Sequence, residues 1–223
     1  MALIVISLIA VAGLATALWL WRERRRLRRR LAEAEAYRLR SQLNPHFLGN
    51  ALDAIAALGF SDSKTAAAVV GALRQLMRQS LDVSQYREIA LHQEQALLER
   101  YLAIEKMLLG ERLHYRLAFD PDVLNAQVPS MILQPLAENA LTHGIGSDGV
   151  ARVTIKAMRG GDRLIIAVSD RGPGLRSGLE PGFGLANTRA RLAQLYGGKA
   201  QLKLLEPPDG GLMAQLMLPF HDG

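Results

Sequence analysis

The chain has 223 residues, 49% of them hydrophobic, no cysteine, and a formal net charge of +6. That length holds one or two domains with an ordinary core, and the lack of cysteine excludes a disulfide framework and a thiolate metal site. The segment Arg22 to Arg30, RERRRLRRR, has seven arginines and one glutamate and is net +6 by itself. The rest therefore balances near zero, and the pI of about 10.0 is no sign of a nucleic-acid surface.

Ala2 to Trp21 contains no charged residue. As a helix, twenty residues extend about 30 Å, the hydrocarbon thickness of a bilayer. Trp19 and Trp21 mark the interface, and the arginines that follow place the remainder in the cytoplasm by the positive-inside pattern. A cleaved signal peptide would carry its positive charges before the apolar run. The expectation is a single-pass anchor over residues 1–21. With only Met1 ahead of it, no extracellular sensor module is expected.

Leu27 to Ala57 reads as one long helix that crosses Pro45 and ends near Gly59, where a left-handed cap is expected. Within it lies SQLNPHFLGN, Ser41 to Asn50. Pro45 gives no N–H to the carbonyl of Ser41, so the helix bends there and leaves His46 accessible. A neutral imidazole is nucleophilic, as a phosphoryl acceptor must be. By themselves these ten residues also fit a kinked helix with a semi-buried histidine.

Ser61, Asp62 and Ser63 offer N-caps for a second helix, Lys64 to about Leu81, with Val69, Leu73, Leu76 and Met77 apolar. Two such helices leave apolar stripes that a second copy would cover in a four-helix bundle. A third helix is expected from Gln93 to Leu109. Beyond Gly110 the pattern turns to strands at 112–119, 151–158, 163–169, 200–206 and 212–220. Helices are expected at Ser130 to Leu141 and Leu185 to Tyr196, and PPDGG, Pro207 to Gly211, reads as a hairpin turn. The fold class is α+β: a dimerising helical part over 22–111 and an α/β sandwich over 112–223.

Three clusters in that second part carry chemistry. In QPLAENALTHG, Gln134 to Gly144, Glu138 and Asn139 are adjacent polar residues among apolar ones. An amide oxygen suits Mg²⁺, and a neighbouring carboxylate can act as a base. Two solvated helix positions fit as well. In DRGPG, Asp170 to Gly174, a carboxylate ends an apolar strand and can accept a hydrogen bond from an adenine amino group. A plain Asp-Gly turn fits equally. In GFGLANTRARL, Gly182 to Leu192, glycines open a helix whose N–H groups can cradle phosphates, with Arg189 and Arg191 adding charge. The string is not a Walker A loop, which requires Gly-Lys-Ser/Thr.

SQLNPHFLGN followed in order by QPLAENALTHGI, DRGPG and GFGLANTRARL resembles the LytS-like (autolysin-sensor type) family of sensor histidine kinases, over roughly Leu39 to Phe220. The resemblance implies a GHKL (Bergerat) ATP-binding domain, of the type shared with gyrase and Hsp90, at the carboxy terminus. His46 would be the phosphoryl acceptor, Asn139 would hold Mg²⁺, and Asp170 would bind adenine. Gly172, Gly174, Gly182 and Gly184 fall on the nucleotide-loop glycines, and His143, Leu185, Asn187 and Arg189 complete the ATP-binding set. Glu138, beside Asn139, is the candidate for an assisting base.

The resemblance further implies ATP and Mg²⁺ as cofactors, a homodimer in the bacterial cytoplasmic membrane, and transfer to an aspartate of a response regulator of the LytTR type. No direct nucleic-acid partner is expected. The chain departs from the family pattern in having Gly49 for a phenylalanine and Thr142 for a basic residue. Its lid is also short, with seven residues, Leu175 to Pro181, between the glycine boxes. These departures motivate the alternative, a catalytically weak nucleotide-binding scaffold docking to a receptor or regulator.

Overall fold

The computed structural model describes residues 45–174 and 183–222. The expected membrane anchor, the arginine run, the helix before Pro45, the bend there, Gly182 and the short lid all lie outside the described residues. Among the described residues no helix is long and apolar enough to cross a membrane. The chain divides into two units, Met1–Leu48 and Gly49–Gly223, and the architecture below is that of the second, apart from the start of its first helix.

Helix α1, Pro45–Ser61, runs through Gly59, which has no positive φ. The left-handed cap expected at Gly59 is therefore absent. Asp62 makes the break instead. Its Oδ1 accepts the N–H of Thr65 at 3.0 Å and its Oδ2 accepts the Thr65 hydroxyl at 2.6 Å, so the next helix starts at once. That helix, α2, Ser63–Ser84, buries Ala66, Val69, Leu73, Leu76, Ser80 and Ser84. It packs against α3, Leu91–Leu109, where Arg100 donates to Gln75 at 3.3 Å. Part of the apolar stripe assigned to a second copy is thus covered within the chain.

A strand the periodicity did not reveal precedes α3: β1, Glu88–Ala90, pairs antiparallel with β3, Gln127–Pro129. Three residues are too few to show alternation. The main sheet contains β2 (Leu113–Phe119), β4 (Ala151–Gly160), β5 (Arg163–Ser169), β6 (Gln201–Leu205) and β7 (Met213–Pro219) in the order β2-β4-β5-β7-β6. Only β2 and β4 are parallel.

In β4, β5 and β7 alternate residues are buried, Val153 and Ile155, Leu164 and Ile166, Leu216 and Leu218 among them. Such alternation marks a sheet with one covered face. The cover includes α4, Leu133–His143, which packs on β4, β5 and α3, and α5, Phe183–Tyr196, which packs on α4 and β6.

The helix expected from Ser130 starts at Leu133. Met131 has φ +58°, outside the helical region, and Ser130 turns its hydroxyl to the carbonyl of Tyr86 at 2.8 Å. Helix α5 stops at Tyr196, and Gly197 takes φ +57°.

Candidate active site

Asp170 follows β5 and is 6% exposed. Its Oδ1 accepts the N–H of Gly172 at 2.9 Å and of Leu212 at 3.1 Å, while its own N–H donates to the Leu212 carbonyl at 2.9 Å. Both bonds to the carboxylate fall on one oxygen, and a carboxylate has capacity on the other for an exocyclic amine. Burial raises the Asp170 pKa, against the two N–H groups and the charge of His143, which lower it.

Three glycines let main chain close around this carboxylate. A Cβ on Gly144 would lie 2.3 Å from the Asp170 Cβ, one on Gly172 would lie 2.6 Å from the Gly144 Cα, and one on Gly211 would lie 2.1 Å from the Asp170 carbonyl oxygen. Gly211 also has φ +84°. The end of α4 and the turn before β7 are thereby pressed onto the strand end. Gly172 does this within the first glycine box. Gly144 and Gly211 belong to the same wall, although within QPLAENALTHG and PPDGG they read only as a helix end and a turn. Gly174, at φ +75°, would place a Cβ 2.8 Å from Glu206 Oε1.

Asn139 is half-buried on α4. It shares a face with Pro135 and His143, at spacings of four residues. A Cβ on Gly184 would be 3.6 Å from the Pro135 side chain, so the start of α5 comes up to the face of α4 that bears Asn139. The structure thus sets Asp170 and Gly172 against the carboxy-terminal end of α4 at Gly144 and the start of α5 against Pro135 in its first turn, with Asn139 and His143 on the same face as Pro135.

On α5, Leu185 is buried, while Asn187 and Arg189 are exposed. Arg191 is turned inward and donates from Nη1 to the Ser130 carbonyl and from Nη2 to the Ser130 hydroxyl at 3.0 Å. Of the two arginines considered for phosphate contact, Arg191 is thus bound to main chain.

Glu138 lies about 100° around the helix from Asn139 and meets α3. Burial first, then the charge of Glu105, raises its pKa to about 7. Thr142 is exposed. His46 belongs to α1, and its side-chain surroundings lie outside the described residues. At Gly49, three residues on, a Cβ would meet nothing within 4 Å.

Among the described residues no three His, Asp or Glu side chains gather to hold a metal. A dedicated protein cage is not what Mg²⁺ needs beside a nucleotide, since it takes phosphate oxygens, water and one or two protein oxygens. The half-buried Asn139 amide fits that requirement.

Residues 34–113 match the family model described as histidine kinase, and residues 126–222 match that of the histidine kinase-, DNA gyrase B- and HSP90-like ATPase. The sensor protein LytS of Oceanobacillus iheyensis is 30% identical over 200 residues, 82% of this chain and 34% of that protein. The chain belongs to the LytS-like sensor histidine kinase family. The sensor histidine kinase YpdA of Escherichia coli is 34% identical over 180 residues, 76% of this chain and 32% of that protein. A further relative, the putative uncharacterized protein YwpD of Bacillus subtilis, is 30% identical over 193 residues, 81% of this chain and 68% of that protein. The chain thus spans about one third of the length of the two named sensor kinases. The sandwich around Asp170 is the GHKL-type catalytic domain of this family.

Proposed function

We propose that the chain is a membrane-anchored, homodimeric histidine kinase, with an anchor at 1–21, phosphoacceptor and dimerisation helices at 22–111 and an ATP-binding domain at 112–223. The observation that carries the reading is the main-chain cradle that fixes one oxygen of Asp170 against the carboxy-terminal end of α4, the helix that bears Asn139 and meets the start of α5 at Pro135. Asp170 accepts the adenine amino group, and N–H groups at the start of α5 receive phosphate. When bound, Mg²⁺ neutralises charge on the phosphates, and Asn139 would be its protein ligand.

A nitrogen of the neutral His46 imidazole attacks the γ-phosphorus. The bond from that phosphorus to the bridging oxygen breaks, ADP leaves, and the ring proton passes to a base. Glu138, with a carboxyl near 7, is the candidate for that base. The phosphohistidine then donates to an aspartate of a response regulator, for which the resemblance favours the LytTR type. The apolar Leu52, Phe60, Val70 and Leu81, exposed on α1 and α2, support a second copy as partner.

The test is incubation of the full chain with labelled ATP and Mg²⁺. The parent should take label that is acid-labile and base-stable, as a phosphoramidate is. His46→Gln keeps a hydrogen-bonding end but has no nucleophilic nitrogen, so it should bind ATP as the parent does and take no label. Label on His46→Gln would refute the acceptor assignment. A parent that binds ATP but takes no label, even with a candidate regulator, would establish the scaffold reading motivated by Gly49 and Thr142.

A further inference from the structure

One buried carboxylate lies outside the nucleotide cleft, and no motif accounts for it. Glu94 stands on α3 in line with Leu91 and Leu98, at positions i, i+3 and i+7, and is 2% exposed. Its Oε1 accepts the N–H of Met131, and its Oε2 accepts those of Ile132 at 3.0 Å and Leu133 at 3.1 Å. These groups lead into the first turn of α4, where helical N–H groups have no partner within the helix. The left-handed Met131, at φ +58°, adds its N–H to the set.

Arg191 of α5 closes the same junction through the carbonyl and hydroxyl of Ser130. Three helices therefore meet at residues 130–133. One of them, α4, carries Asn139 six residues on, and another, α5, opens with the second glycine box. The third, α3, bears the packed face of α2.

We propose that Glu94 is a positioning residue of the nucleotide site, seating the start of α4 on α3 so that nucleotide affinity follows how α3 is held. The inference rests on the ATP-site reading above and extends it to how that site is controlled. A charged Glu94 accepts all three N–H groups. A protonated one turns an O–H toward N–H donors, and the turn that aims α4 loses an acceptor. Burial raises Glu94 to about 7, opposed by the N–H groups of Leu133, Met131 and Ile132 and by Arg191, the charged group that bears on it from α5. Both forms are therefore present near neutrality. If the seated fraction fell to about one tenth, apparent affinity would fall about tenfold, because affinity scales with the competent population.

The test is calorimetric titration of the full chain with ATP and Mg²⁺ between pH 6 and 8, on the parent and on Glu94→Gln. Glutamine has one acceptor oxygen and presents an NH₂ to the remaining donors. At pH 8 the variant should bind about tenfold more weakly. The gap should narrow toward pH 6, where the parent has itself protonated Glu94. Titration of the nucleotide phosphate and of Glu138 occurs in both proteins and cancels in the difference.

Equal affinities across the range, with only a lower melting temperature for the variant, would overturn the proposal, since Glu94 would then hold the fold but not the site. Should Glu94→Gln fail to fold, the milder Ser130→Ala removes the hydroxyl that joins Arg191 to Tyr86. It should weaken binding a few-fold, and unchanged affinity there would equally overturn the proposal. A parent that binds no ATP would instead remove the nucleotide-site reading, and this inference with it.

Discussion

Asp170 and Glu94 are both almost completely buried carboxylates held by main-chain N–H groups, yet they belong to different kinds of element. Asp170 ends a strand, takes two N–H groups on one oxygen, and is walled by glycines. Glu94 lies inside a helix and takes N–H groups on both oxygens. The first arrangement leaves an oxygen for a ligand, whereas the second engages both on the chain itself. Under the proposed assignment, the distribution of the N–H groups over the two oxygens separates a carboxylate that receives a ligand from one that holds the chain.

The largest effect that sharpens this contrast is expected from Asp170→Ala. Losing a hydrogen bond to a buried charge costs about 1.5–3 kcal/mol, or roughly ten- to a hundred-fold in affinity. Calorimetry should show that loss with and without Mg²⁺, because adenine recognition needs no metal. Unchanged affinity would remove the adenine assignment.

Next is Gly144→Ala. The added Cβ would lie 2.2 Å from the Ala140 carbonyl oxygen and 2.3 Å from the Asp170 Cβ. Both are backbone or near-backbone atoms that cannot swing aside, and a forced shift of this kind costs about 1–3 kcal/mol. Thermal unfolding should register the loss, and ATP affinity should fall with it. A variant with parental stability would mean that α4 ends farther from Asp170. A smaller effect is expected from Asn139→Ala, which should weaken binding a few-fold in Mg²⁺ and not at all in a chelator. A loss independent of metal would assign Asn139 to some other contact.

Much of the contrast could be read in advance on one side only. The five strands of the main sheet, α3 and the helix closing at Gly197 follow from alternation, from 3.6-residue periodicity and from glycine positions. DRGPG shows Asp170 as a carboxylate ending an apolar strand, but a plain Asp-Gly turn fits those five residues equally, and only the order of the motifs along the chain points to a site. Gly144 and Gly211 were visible as letters but not as walls, since close approach between segments tens of residues apart leaves no local pattern.

Glu94 carried a weak signal, a charge in line with Leu91 and Leu98 where the stripe calls for an apolar residue. Its partners are 37 to 39 residues away, beyond any periodicity. The start of α4 was misplaced for the same reason, as the left-handed Met131 is stabilised by that distant carboxylate.

Glu138 provides the smallest and most easily reversed effect. Unlike Asp170 and Glu94, it is only partly buried, and it faces another carboxylate, Glu105. Its pKa rises from 4.5 in the unfolded chain to about 7 in the fold. The protonated form is therefore the one the fold favours, and its stabilising share is complete below about pH 4.5 and lost as pH rises through about 7. Glutamine is neutral throughout, so Glu138→Gln should melt with the parent at pH 4.5 and above it at pH 8. Solvent screens part of the cost at such a site, so the gain is expected to be about 1 kcal/mol, or ~2–4 °C. Glu105→Gln should give a smaller gain, because burial is the larger cause of the shift. If the two variants gained equally, repulsion across α3 and α4 would be the dominant cause. If Glu138→Gln gained nothing at pH 8, the Glu138 carboxyl would be well solvated and unsuited to act as a base near neutrality.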